Sequence, residues 1–176
     1  MTSRAERRAE ELLREHGIET VPVPVDELAD KLGAEVRYRT FDGDISGLLL
    51  RTDRGETVVG VHAKHARTRQ RFTIAHELGH HVLHRGRPAI VEHLTRAARV
   101  NFRDGTSALA TDKEEIEANQ FAAGLLMPSA AVEDAFLEAA PRLGIDRSVA
   151  ALAKRFDVSP QAMRFRLMNL ALIDPT

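Results

Sequence analysis

Eight histidines and fifteen glutamates are present in the 176 residues. Two of the former and one of the latter fall in the pattern His76-Glu77-Leu78-Gly79-His80, which is H-E-x-x-H. On a helix, four residues turn the chain through 400°, so His76 and His80 stand about 40° apart on one face, one turn from each other. That bite suits a single zinc ion with Zn–N near 2.1 Å. Glu77 is offset by one residue, where its carboxylate can reach a water molecule on the ion's open position rather than the ion itself. That is the place of a general base. At this composition the pattern arises by accident only about 0.03 times per chain, and here it falls inside an amphipathic helical run.

A catalytic zinc normally takes three protein ligands. A metzincin would supply a third histidine six residues after His80, but Gly86 stands there, and His84 is two turns from His76. The third ligand is therefore sought on another helix. The segment EEIEANQFAAGLLMP offers Glu114, Glu115 and Glu117. Glu115 ranks first, because Asn119 lies four residues on, shares its face and can hydrogen-bond a metal-bound histidine from behind. Ala118 and Ala122 are small enough for a close helix approach. Glu117 ranks second and Glu114 third; the plainer reading of all three is acidic residues favoured in a helix's first turn.

These elements must be positioned by the rest of the chain. Ser3 with Glu6 reads as a capping box opening an amphipathic helix that Gly17 ends. A short helix follows and stops at Gly33. Three strands then come at 34–41, 45–52 and 56–63, with a turn at Asp53-Arg54-Gly55. The H-E-x-x-H helix spans about 68–85. Residues 87–112 have weak periodicity and read as a loop or short helix. A helix from Lys113 to Met127 ends at Pro128, and Ser129 can cap another that ends near Pro141. Two more helices complete the chain, the first opened by Asp146 or Ser148 and the second by Ser159-Pro160. The fold class is thus α+β with a small sheet of about three strands, divided into a core at 1–142 and a helical subdomain at 143–176. The tail helices have helix-turn-helix spacing, and Lys154, Arg155, Arg164 and Arg166 could meet phosphates. The apolar Met163, Phe165, Leu167, Met168 and Leu170 instead suit packing on the core, so substrate docking is expected in preference to DNA binding.

HARTRQRFTIAHELGHHVLH, followed by EEIEANQFAAGLLMP and a tail of the type AALAKRFDVSPQAMRFRL, resembles the ImmA/IrrE-type metallopeptidases over about Val21 to Leu172. The resemblance implies a gluzincin-like zinc endopeptidase that cleaves a helix-turn-helix transcriptional repressor, in mobile-element induction or a stress response. It places the two histidine ligands at His76 and His80, the catalytic carboxylate at Glu77 and the third ligand at Glu115. Gly124 departs from the family pattern, which often has a larger residue there. The chain also has no room for the C-terminal sensor domain of the radiation-response branch. A rival reading of the same residues is a non-catalytic, metal-stabilised binding partner of a repressor.

Composition narrows the setting. Charged residues make up 29% and hydrophobic residues 43%, with a net charge of -1, so no global field draws nucleic acid or an anionic membrane. The 21 Arg against 4 Lys carry no functional weight. Cysteine is absent, which excludes disulfides, a thiol nucleophile and cysteine-type zinc sites. The N-terminus lacks the apolar stretch of a signal peptide, and no run approaches a membrane span. A soluble cytoplasmic protein is expected, with zinc as the metal and manganese as an alternative. For oxyanion stabilisation, His62, His65, His81, His84, His93 and Tyr38 are all open, and Arg69 and Arg71 are unassigned.

Overall fold

In the computed structural model, residues 2–42, 45–52, 55–84, 89–92 and 112–174 are described. They form seven helices and four strands: α1 (Arg4–Glu15), α2 (Val25–Lys31), β1 (Ala34–Arg39), β2 (Gly47–Arg51), β3 (Thr57–His62), α3 (Arg67–Leu83), β4 (Ala89–Glu92), α4 (Asp112–Leu126), α5 (Ser129–Leu143), α6 (Ile145–Phe156) and α7 (Pro160–Asn169). The class is α+β. Two compact units are present, residues 25–119 and residues 1–24 with 120–176, so the division expected at 142/143 falls inside the second of them. Among the described residues no helix is long and apolar enough to cross a membrane.

The 25–119 unit is built on a sheet of order β1-β3-β2-β4. β1 runs parallel to β3, while β2 is antiparallel to both β3 and β4. The three expected strands are all present. β4 corrects the reading of 87–112 as loop or short helix: four residues are too few to show an alternation of their own, and their pairing with β2 is what makes them a strand. Residues 85–88 and 93–111, with Gly86 and His93 among them, lie outside the described residues, as do Asp53 and Arg54. The hairpin there closes by the Thr52 amide donating to the Glu56 carbonyl at 2.9 Å. β3 is buried over most of its length, as a strand flanked on both edges should be. Leu49, Val59, Val61, Ile74, Ala75 and Leu78 are fully buried and form the core, with α3 lying against β2 and β3.

Gly47, the first residue of β2, is required by this approach. A Cβ there would stand 2.2 Å from Thr73 Cγ2 and 3.0 Å from the Gly60 carbonyl oxygen, and 3.2 Å from Glu77 Oε1. Only glycine lets the helix bearing H-E-x-x-H come so near the strand.

In the other unit α1 opens with the expected capping box. The Glu6 amide donates to Ser3 Oγ at 3.2 Å, and the Ser3 amide to Glu6 Oε2 at 2.6 Å. Ser159 caps α7 as expected, accepting from the Ala162 amide at 3.1 Å, with Pro160 in the first turn. The cap expected from Ser129 is not made. The Ser129 amide instead donates to Glu10 Oε1 of α1 at 2.8 Å, so a carboxylate distant in sequence satisfies the free end of α5. Ser148 donates its hydroxyl to the Gly144 carbonyl at 2.6 Å rather than capping α6.

Arg166 corrects its reading as a phosphate-facing residue. It is 2% exposed and donates to the Met127 carbonyl oxygen at 2.9 Å; it also pairs with Glu6, and stands 3.6 Å from Glu10. Gly124 belongs to the same place. A Cβ on it would lie 2.8 Å from Glu6 Cα, which accounts for the small residue where larger ones were anticipated. Arg164 pairs with Asp146, and Arg155 with Glu138 at 3.8 Å. Met163 and Leu167 are fully buried, while Phe165 is exposed.

Breaking one member of a buried ion cluster leaves its partner's charge desolvated and costs about 3–5 kcal/mol. Arg166→Leu is therefore expected to lower the unfolding free energy by about that amount in urea titration. A loss below about 1 kcal/mol would contradict the role given to the cluster.

Candidate metal centre

α3 forms because residues 67–83 hold no proline and carry a broad apolar stripe that the sheet covers. Crossing β2 and β3 buries the middle of the helix, including His76, Glu77 and His80, each 0% exposed. Polar side chains are not buried in this way without partners. Those of His76 come from α4. The His76 Nδ1 lies 2.9 Å from Asn119 Oδ1, and Glu115 Oε2 lies 3.6 Å from His76 Nε2. The two ring Nε2 atoms of His76 and His80 face each other at 3.3 Å.

One ligand atom each from His76, His80 and Glu115 lies within 4.8 Å of the others, and among the described residues this is the one group of three able to hold a metal ion. Donors held about 2.1 Å from a tetrahedral ion stand roughly 3.4 Å apart. The separations of 3.3 and 3.6 Å straddle that value. An amide oxygen only accepts, so His76 donates its Nδ1–H to Asn119 and turns a bare Nε2 toward the group. Two imidazoles and a carboxylate are the donor set of a zinc site that keeps a position open. The residues present fit the ion that the sequence implies.

The alternatives on α4 are placed elsewhere. Glu117 Oε2 lies 3.0 Å from His84 Nε2, and its Oε1 stands 3.8 Å from Lys113 Nζ. Glu114 is not a member of the group. His84 in turn lies 2.9 Å, Nδ1 to Nδ1, from His80. In the sequence His84 was set aside as a ligand and left open for oxyanion stabilisation; the four-residue step from His80 was the available signal that the two rings meet.

The other described candidates for oxyanion stabilisation, and the unassigned Arg69 and Arg71, are placed as follows. His62 and His65 stack at 4.3 Å between centroids, and His62 Nδ1 accepts from the Lys64 amide at 3.2 Å. Burial, then the neighbouring Arg69 and His62, lower the His65 imidazole below its usual range. His81 Nε2 donates to the Leu32 carbonyl at 3.1 Å, and Arg69 donates to Ser46 Oγ at 2.6 Å. Arg71 is buried. Tyr38 donates its hydroxyl to Asp26 Oδ1 at 2.7 Å.

A helix carrying two histidines one turn apart, laid across a mixed sheet with a carboxylate brought in from a second helix, is the construction of an α+β metallohydrolase. The chain belongs to the IrrE N-terminal-like domain family of peptidases, whose family model matches residues 29–168. That span includes every residue of the group. No curated protein matches the chain. A solved structure, a Mycobacterium tuberculosis transcriptional regulator, shares the fold with a TM-score of 0.56 at 20% identity, covering 93% of this chain and 46% of that one. The chain thus spans about half the length of that protein.

Tyr38 is the only tyrosine, and burial, then its hydrogen bond to Asp26, push its phenol up to about 12 from 10.0. A raised acid favours the neutral form in the fold. Its contribution to stability is full below pH 10.0 and is lost as the pH rises through about 12. Ultraviolet titration of the native chain is expected to show no phenolate below about pH 11, whereas a midpoint near 10 would contradict the Asp26 contact.

Proposed function

We propose that the chain is a zinc-dependent endopeptidase that hydrolyses a peptide bond in a helix-turn-helix transcriptional repressor, relieving repression in a mobile-element or stress response. His76, His80 and Glu115 hold the ion, with manganese as an alternative metal, and Glu77 is the general base. The observation that carries this reading is the convergence of three ligand atoms within 4.8 Å in a chain of a peptidase family.

A divalent ion in this site supplies Lewis acidity to a peptide carbonyl and lowers the pKa of a water molecule. The chain's own residues do the rest. Glu77 Oε1, close over Gly47, takes the proton of the attacking water and returns it to the departing amine nitrogen. Full burial of Glu77 keeps bulk water from competing for that proton. Asn119 holds the His76 ring in the orientation that presents Nε2.

A regulator as the substrate is supported by the family resemblance and by a fold neighbour that is itself a transcriptional regulator. Residues 1–142 form the peptidase core in this proposal, and 143–176 a helix-turn-helix-like subdomain. Its helices α6 and α7 are joined by a short turn in which Asp157 is left-handed at φ 53°. With Arg166 buried and Arg164 paired, this subdomain suits docking of the protein substrate better than duplex binding. The cytoplasm is the proposed location, in keeping with a chain that has no cysteine.

Glu77→Gln is expected to keep the metal and to lose peptide hydrolysis by about 10²–10⁴-fold. The check is N-terminal labelling and mass spectrometry of a lysate treated with either form. New N-termini from the wild type alone should concentrate in a DNA-binding repressor. The same N-termini from both forms would remove Glu77 from its role, and a Glu77→Gln chain that still relieves repression in cells would favour the non-catalytic binding partner.

A further inference from the structure

We propose that His84 and Glu117 are positioning residues that set the tautomer of His80, so that its Nε2 is bare toward the metal. The inference rests on the reading of His76, His80 and Glu115 as ligands and adds a second supporting chain to the one that Asn119 provides for His76.

The protons can be placed in order. A carboxylate accepts and does not donate, so across the 3.0 Å contact His84 Nε2 donates to Glu117 Oε2. A neutral imidazole carrying its proton on Nε2 has a lone pair on Nδ1. That lone pair faces His80 Nδ1 at 2.9 Å, so with His84 neutral, as the proposal takes it, the donor between them is His80. His80 therefore holds its proton on Nδ1. Its Nε2 is left as a lone pair, aimed at His76 Nε2 3.3 Å away. His76 reaches the same state by a separate route, through Asn119.

Geometry favours this relay over a chance contact. His80 and His84 are one turn apart on α3 with ring centroids at 4.9 Å, and the His84 side chain is only 7% exposed. Glu117 reaches it from α4, two residues beyond Glu115, so one helix delivers a direct carboxylate ligand and the anchor of the relay. Without His84 the His80 proton is free to reside on Nε2, where it would have to be removed before a metal could bind. Partners of this kind are worth about 10–100-fold in metal affinity.

The test is zinc affinity of the full chain at neutral pH, read by competition with a chromophoric chelator, with thermal melting as the check that each variant folds. His84→Leu and Glu117→Leu are expected to bind about 10–100-fold more weakly than wild type, while Glu117→Gln, which keeps an oxygen acceptor, stays within about threefold. Glu117 is partly exposed, so its two variants carry the comparison even where His84→Leu fails to fold. Wild-type affinity in His84→Leu, or equal loss in the Gln and Leu variants of Glu117, would overturn the relay and leave the metal site standing. Failure of the wild type to bind zinc, or undiminished binding by His76→Ala, would overturn the metal reading and the relay together.

Discussion

Two imidazole nitrogens facing each other at 3.3 Å inside the protein, with a carboxylate oxygen 3.6 Å from one of them, are the constraint around which the 25–119 unit is arranged. Lone pairs brought so close repel unless a cation or a shared proton lies among them. The outer ring nitrogens have partners of their own, Asn119 Oδ1 behind His76 and His84 Nδ1 behind His80. A metal ion held there, as proposed, would relieve that repulsion and tie the site's formation to the fold. The requirement for glycine at 47 follows, because the helix bearing these residues must lie close against β2.

The unit of residues 1–24 and 120–176 is organised around charge of the opposite kind. Arg166 is almost wholly buried; it donates to the Met127 carbonyl and pairs with Glu6, while Nη2 has Glu10 of α1 3.6 Å away as an ion partner without a hydrogen bond. Glu10 also receives the Ser129 amide at the start of α5, and Glu6 completes the cap of α1. Two glutamates thus serve helix ends and a buried guanidinium at once. Gly124 leaves the room in which the Glu6 backbone lies.

What could be read from the amino-acid order was what lies close along the chain. His76, Glu77 and His80 announce themselves because one helical turn places them, and Glu115 with Asn119 stands out because a second helical turn relates them. The caps at Ser3 and Ser159 are local in the same sense. Features set by distant partners were not legible. A buried Arg166 looks like a solvated arginine until Glu6 is seen beside it, and nothing near Ser129 marks Glu10 as its acceptor. The strand at Ala89–Glu92 is defined by pairing with β2 rather than by its own four residues. His84 read as one oxyanion candidate among several and Glu117 as the second-ranked ligand, and nothing local in the chain marks the 3.0 Å contact between them.

One metal ion on His76, His80 and Glu115 is what the proposed function requires of this chain. Elemental analysis of the purified full chain, beside a His76→Ala variant purified in the same way, tests it most directly. About one equivalent of zinc per wild-type chain and almost none in the variant is the expected result. A wild-type chain that takes up no metal even when zinc is offered, or a variant that retains it in full, would show that these three residues do not form a metal site.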